Sequence, residues 1–548
     1  MKGGLFRCHS QLANPSMYLD TLRATLILTV LFSAQIVSSQ ELTRDWPQWG
    51  GSSYRNNAPI SGAIPSQFDI ETGENILWSA SLGSETYGNP VVANGKIFVG
   101  TNNGSGFVER LPPDIDLGVL VCLNEADGMF LWQHSSEKLA SGRSQDWPNI
   151  GICCSPLVEN DRLWYVTSRG EVVCLDTDGF FDGENDGPIQ SEDSINKNEA
   201  DVVWRFDMMQ ELGISQHNMC SSSVTASGNR LFVLTGNGID GDHKQIPAPN
   251  APSFICLDRS TGKLLWADSS PGENILHGQW SSPACGMIGG VEQVVFAGGD
   301  GWIYSFDPKG KSGADGNGMG NLLWKFDANS KDSAFSMRNA TRLHPIGTPV
   351  IYDDHVFVAL GEDPEHGEGP GVLWAIDGTK RGDVSPTILV NASGVESVPR
   401  RRIQAIDRAA GELEKPNPNS AALWKYQGAD NKERETTLHR SCATVAIAEG
   451  FLVAMDSSGI AHCLDVKTGK PFWTHDLEAA SWSSPLIADK KIYLGDEDGD
   501  LLVVGLDEEK KIIAESNVGS TMYTTPIVAD GILYVASRKR LFAIGEKK

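Results

Sequence analysis

Short apolar segments recur along this chain, each four to six residues long and each followed by a polar turn. Lys96–Gly100 (KIFVG), Leu231–Gly236 (LFVLTG) and Lys491–Gly495 (KIYLG) are typical. Their β-branched and aromatic content suits a pleated surface, and they are too short for buried helices. Glycine-containing turns separate them, so the pattern predicts antiparallel strands joined as meanders. A longer run of different character, Ala24 to Val37, follows Arg23 and ends at the small residues Val37-Ser38-Ser39. This is the layout of a secretory leader over residues 1–39, and Met17 is an alternative start. The run is shorter than the roughly 20 apolar residues of a membrane span, and no comparable stretch follows.

The strand pattern has a larger period. A unit opens on an S-S-P-like tetrapeptide, passes through two strands and an L-D-x-x-T-G turn, and closes on a tryptophan. The openings are Tyr87–Pro90, Cys153–Pro156, Cys220–Ser223, Trp280–Pro283, Ile346–Pro349, Arg440–Ala443, Trp482–Pro485 and Tyr523–Pro526. The first six units close at Trp132, Trp204, Trp266, Trp324, Trp424 and Trp473. In the turn, the Asp and Thr satisfy local backbone donors and the Gly accepts a positive φ. The Trp that follows covers the apolar gap to the neighbouring unit. One such sheet cannot bury both faces, so the units must stack radially. The eighth unit stops after three strands, while the chain begins with an unpaired ENILW, Glu74 to Trp78. The expected fold is therefore all-β, an eight-bladed β-propeller over residues 74–548 whose last sheet is completed by the N-terminal strand, leaving no exposed edge. Residues 40–73 are expected to cap it. Insertions at 178–201, 236–253, 310–321 and 378–421 are rich in Gly, Asp, Asn, Pro or charge and read as surface loops. The basic run Arg400-Arg401-Arg402 in the last reads as a solvated loop.

Composition narrows the partners. A net charge of −25 is repelled by phosphate backbones and excludes nucleic acid as an expected ligand. With 40% apolar and 21% charged residues the chain is not of disordered type. Cys122, Cys174, Cys256 and Cys463 occupy the same third-strand position in four units, too far apart for bonds across blades, and read as small buried hydrophobes.

Two groups of residues carry candidate metal chemistry. His217, His277, His344 and His439 precede the openings of four successive units, near the expected channel mouth. They form either a metal or anion site or four unconnected loop histidines. Asp182, Glu184, Asp186 and Asp193 fall at positions 1, 3, 5 and 12 of an acidic loop with Gly187 at position 6. The spacing resembles an EF-type calcium loop, with Pro188 at position 7 and no flanking helices as departures; the alternative is a solvated acidic loop.

CLDRSTGKLLW, CLDVKTGKPFW and the recurring SSP resemble the PQQ-like repeat. From Asp45 to Glu546 the chain resembles eight-bladed quinoprotein-type propellers, and its opening DWPQWGGSSYRNN is similar to the start of secreted planctomycete members. The resemblance implies one of two functions. The first is a non-catalytic binding or assembly scaffold, as in BamB-like outer-membrane assembly propellers, offering rim and channel to a protein, peptide or glycan. The alternative is a periplasmic alcohol or sugar dehydrogenase using PQQ and calcium. For that alternative the adjacent Cys153 and Cys154 would form the disulfide ring that lies against PQQ in such enzymes, with Trp280 and Trp482 among the channel aromatics. The other reading of the pair is two small buried residues that happen to be adjacent. The Trp-Asp step that supplies the dehydrogenases' aspartate is missing, and no C-x-x-C-H haem motif is present. Either function places the exported chain in the periplasm or outside the cell.

Overall fold

The structure is a computed structural model that describes residues 1, 44–192, 194–313, 318–336, 340–361, 369–430 and 433–546. The leader expected over residues 1–39 lies outside the described residues apart from Met1, and so does Asp193.

The short apolar segments pair as the sequence predicts. Unit 1 is an antiparallel meander of Val91–Ala93, Lys96–Asn102, Leu117–Asn124 and Phe130–Glu137. Equivalent four-stranded meanders occupy 157–207, 225–268, 284–327, 350–426, 446–476 and 486–517. The last unit has three strands over 527–544, and Ile76–Ser81 supplies its fourth by pairing antiparallel with Arg540–Ile544. Chain start and chain end therefore share one sheet, as the orphan ENILW requires.

Five of the six closing tryptophans donate to the next unit, whereas Trp324 Nε1 donates to Gln293 Oε1 of its own unit. Trp132 Nε1 donates to Thr177 O, Trp204 to Arg259 O, Trp266 to Pro308 O, Trp424 to Val466 O and Trp473 to Asp507 O. Trp78 does the same to Glu125 O in unit 1. Each ring buries enough surface for about 4–6 kcal/mol of gross hydrophobic stabilisation. The turn glycine that receives the ring has two reasons to be glycine. Gly262 has φ +70°, and a Cβ there would lie 2.6 Å from the Trp204 ring. The turn Asp acts as expected: Asp258 Oδ1 accepts from the amides of Ser260 and Thr261. Across the sheet the tryptophans face the repeated cysteines, Cys122 opposite Trp132 and Cys463 opposite Trp473. All described cysteines are free thiols.

The innermost strands meet at the axis. The side chains that line it begin at Tyr87, Cys153, Ser221, Trp280, Ile346, Cys442, Trp482 and Tyr523. Two openings therefore differ from the sequence reading: they are Ser221–Val224 and Cys442–Val445, not Cys220–Ser223 and Arg440–Ala443. Cys220 and Arg440 are instead fully buried beside the channel, and the Cys220 thiol donates to Thr235 O. Two residues after each opening, a polar side chain joins neighbouring units. The amides of Ser155, Ser223, Thr348, Thr444, Ser484 and Thr525 donate to the side-chain oxygens of Ser223, Ser282, Thr444, Ser484, Thr525 and Asn89. Ser155 Oγ to Asn89 O and Ser281 Oγ to Gly347 O make the two remaining junctions, so the ring of hydrogen bonds is closed.

The N-terminal segment passes beneath this ring and meets the units in order. Trp46 pairs with Val92, and Pro47 O accepts from Val158 N. Gln48 accepts from Thr225 Oγ1, Ser53 O from Cys285 N and Tyr54 O from Ile351 N. Asn56 bonds both backbone groups of Ile447, and Asn57 O accepts from Ile487 N. Arg55, fully buried, donates to the carbonyls of Trp49, Ser223, Val224 and Pro283. Burial pushes its pKa down to about 9, so it stays charged at neutral pH.

The insertions are more ordered than loops. The 310–321 segment extends the unit 4 hairpin, Trp302–Ser312 with Gly318–Asp327, which reaches the unit 3 strand Leu264–Asp268. Within 378–421, Thr387–Val390 pairs with Leu413–Pro416, and Gly382–Asp383 pairs with the unit 4 edge. Both have an extended backbone next to an unpaired edge, which pairing satisfies. The basic run is not a solvated loop. Arg400 pairs with buried Asp300 and stacks over Trp302, and Arg401 pairs with Glu412. Arg402 donates to the carbonyls of Ile275, Leu276 and Lys244. Among the described residues, no helix is long and apolar enough to cross a membrane.

Candidate functional site: an aromatic cavity and a histidine cluster

The axial ring encloses a cavity of about 410 Å³ with residues from all eight units in its wall. Tyr87 and Tyr523 stack at 4.3 Å, and Trp482 meets both edge-on at 6.1 Å. Trp280 and Trp147 also contribute, and Trp49 of the N-terminal segment reaches in to donate to Thr348 Oγ1 at the level of the polar ring. Among the described residues the wall contains aromatic and aliphatic side chains, Ser, Thr, Asn, Cys and Met, with no Asp, Glu, Lys, Arg or His.

Cys153 and Cys154 diverge. Cys153 lines the cavity with its Sγ 3.4 Å from Met219 Sδ, whereas Cys154 turns into unit 2 and donates to Val166 O at 3.0 Å. Burial pushes both thiols up to about 12, which leaves them protonated and poorly nucleophilic at neutral pH. Among the described residues the wall itself presents neither a cation for a tricarboxylate quinone nor a carboxylate for calcium, while Glu497 accepts from Trp482 Nε1 and Glu85 pairs with Arg538 beside Tyr87.

Of the four histidines expected at the mouth, the structure brings together His217, His277 and His344 and separates His439. The His217 and His277 rings lie 4.5 Å apart, with His344 6.0 Å from His277. All three are fully buried. Trp280 touches this group, 5.1 Å from His277 and 6.0 Å from His217 and His344. A residue that sequence reasoning missed joins them: His243, from the 236–253 insertion, is 4.9 Å from both His217 and His277. Its backbone has φ +58°. Nitrogens of His217, His243 and His277 lie within 4.8 Å of one another. His439 instead has Nδ1 2.9 Å from Asp456, which also approaches His462 Nε2 at 3.5 Å. Arg342 is buried near Ser333.

Of the acidic loop, Asp182, Glu184 and Asp186 lie within the described residues. Asp186 pairs with Arg162 at 2.6 Å, and its amide donates to Asp201. Asp182 Oδ1 caps the Glu184 amide at 2.8 Å. Arg162 also pairs with Asp176, so a guanidinium occupies the space between these carboxylates.

A family model described as "Outer membrane protein assembly factor BamB" matches residues 66–180 and 279–548, well over half of the sequence. The chain belongs to this BamB family. The outer membrane protein assembly factor BamB of Moranella endobia (strain PCIT) is 21% identical over 401 residues, covering 71% of this chain and 84% of that protein. The crystal structure of BamB from Moraxella catarrhalis aligns over 86% of this chain and 96% of its own, at 14% identity and a TM-score of 0.47. A europium-containing methanol dehydrogenase aligns over 90% of each chain at 12% identity and a TM-score of 0.42. Relative to the BamB family match, the unmatched residues 181–278 include the 236–253 insertion and with it His243.

Proposed function

We propose that the protein is a non-catalytic binding scaffold that takes an apolar side chain of an extended partner protein into its axial cavity. One observation carries this reading: a cavity of about 410 Å³, built from aromatic rings and hydroxyls and free of charged groups. That volume suits one or two large side chains, and stacked aromatics bind such groups without ordering long flexible chains. The name of the BamB relatives, outer membrane protein assembly factor, points to protein partners as well. Family membership and the leader-like N-terminus together support export, with the scaffold working in the periplasm or outside the cell.

Tryptophan fluorescence titration of the full chain tests the reading. Unstructured peptides bearing spaced aromatic residues are expected to saturate with micromolar Kd, and Trp482→Ala is expected to weaken them at least 10-fold. Equal binding of matched alanine peptides would remove the cavity from the function. Tight, calcium-dependent saturation by PQQ would restore the dehydrogenase alternative.

A further inference from the structure

The cavity wall leaves the histidine cluster unexplained. It lies behind Trp280 and outside the wall, and its members come from three separate segments. His217 and His277 precede the innermost strands of units 3 and 4, and His243 arrives on the insertion. The orientation of His217 is fixed. Its Nδ1 is 2.9 Å from Ile239 O, so Nδ1 carries the proton and donates it. Nε2 is then a bare lone pair, buried and without a hydrogen-bond partner. Leaving such an acceptor dry is costly unless something binds there. A histidine whose far nitrogen is held by a backbone carbonyl is the usual arrangement around a bound metal.

We propose that His217, His243 and His277 form a binding site for a divalent transition metal of the zinc class, which pins the 236–253 insertion to the channel mouth. Three imidazole nitrogens suit zinc, cobalt, nickel or copper, whereas calcium and magnesium take oxygen ligands. Tetrahedral zinc with bonds of about 2.0–2.1 Å holds its nitrogens about 3.4 Å apart. The nitrogens lie within 4.8 Å here, so binding requires the rings to close by up to about 1.4 Å. His243 can make that movement because it is half-buried on a loop, whereas the other two are fixed in the interior. The surroundings are scaffolded for the task. Arg402 ties Ile275 and Leu276, just before His277, to Lys244, just after His243. Since His217 and His277 both touch Trp280, the metal would also immobilise one ring of the cavity.

The test uses the full chain purified without a polyhistidine tag and stripped with a chelator. Cobalt(II) and zinc(II) are the probes. One cobalt per chain is expected, with the visible absorption of a nitrogen-ligated site, and zinc is expected to raise Tm and change tryptophan fluorescence. His243→Ala, on the half-buried loop, should fold normally and weaken binding at least 10-fold. His217→Gln should weaken it at least 100-fold. His439→Gln should leave affinity unchanged. Binding that survives His243→Ala at full affinity and stoichiometry overturns the site, as does failure of the wild-type chain to bind either metal at millimolar concentration. Peptide binding by the metal-free protein would still stand in that case, so the two readings fail separately.

Discussion

His439 and His217 occupy similar places in the sequence, just upstream of an innermost strand, and the fold gives them opposite surroundings. His439 shares the buried carboxylate of Asp456 with His462, whose other nitrogen is 3.0 Å from the Tyr426 hydroxyl. Burial alone would raise the Asp456 carboxyl, but hydrogen bonds from His439 and His462 outweigh it and hold the pKa down to about 2. That group is complete as it stands. Around His217 the ring neighbours are His243, His277 and Trp280, and the Asp240 carboxylate acts on it only as a nearby charge, with no hydrogen bond between them. His439 and His462 both spend a nitrogen on the Asp456 carboxylate, whereas His217 turns its Nε2 toward other imidazoles. The difference lies in the partner and not in the position along the chain.

The largest effect is expected from removing the carboxylate that satisfies the first group. Asp456→Ala strands His439 and His462 in the interior and should cost about 3–5 kcal/mol in denaturant unfolding. A cost below about 1 kcal/mol would break the comparison. A smaller, pH-specific effect follows from the same residue. Its folded pKa lies below the unfolded value of about 3.9, so its contribution is complete above that pH and is lost as pH falls toward 2. Asp456→Asn should flatten that part of the acid-unfolding curve, followed by circular dichroism, without altering stability changes near neutrality. The smallest effect sharpens the other side. Arg402→Ala removes no ligand and should reduce zinc affinity about 3- to 10-fold by calorimetry, while leaving the Asp456 group untouched. It should lower metal-free stability by only about 1 kcal/mol, through the loss of hydrogen bonds to three carbonyls.

Much of the fold is legible in the sequence because its junctions are chemically loud. Trp204 beside Gly262, and Glu74–Trp78 without a sheet of its own, state both the period and the way the ring closes. The register is less legible where proline is missing. Val224 and Val445 stand where other openings have Pro, and without that marker Cys220 and Arg440 look like first residues although they point away from the axis. The insertions hide their strands because Gly382-Asp383 has no β-forming side chains; it pairs only because an open edge lies beside it. The candidate site was half visible. His217, His277 and His344 share a place in successive units, but His243 sits in an insertion with no periodic position. The exclusion of His439 depends on Asp456, which is brought to it by the sheet and by no motif.

The thread from Trp46 to Ser81 has a consequence for how the molecule is made. Synthesis produces this stretch before the units it contacts, yet it meets them in turn and finishes in a sheet with Arg540–Ile544. Such wide sequence separation slows folding, because chain entropy is spent before the long-range contacts form. Ile76–Ser81 must wait, unpaired, for Arg540–Ile544 to arrive. A prematurely terminated chain would therefore lack both the seam and the binding partner of its own beginning, and would present open sheet edges to its neighbours. Completion of the whole polypeptide, more than the strength of any single blade, decides whether a newly made copy survives.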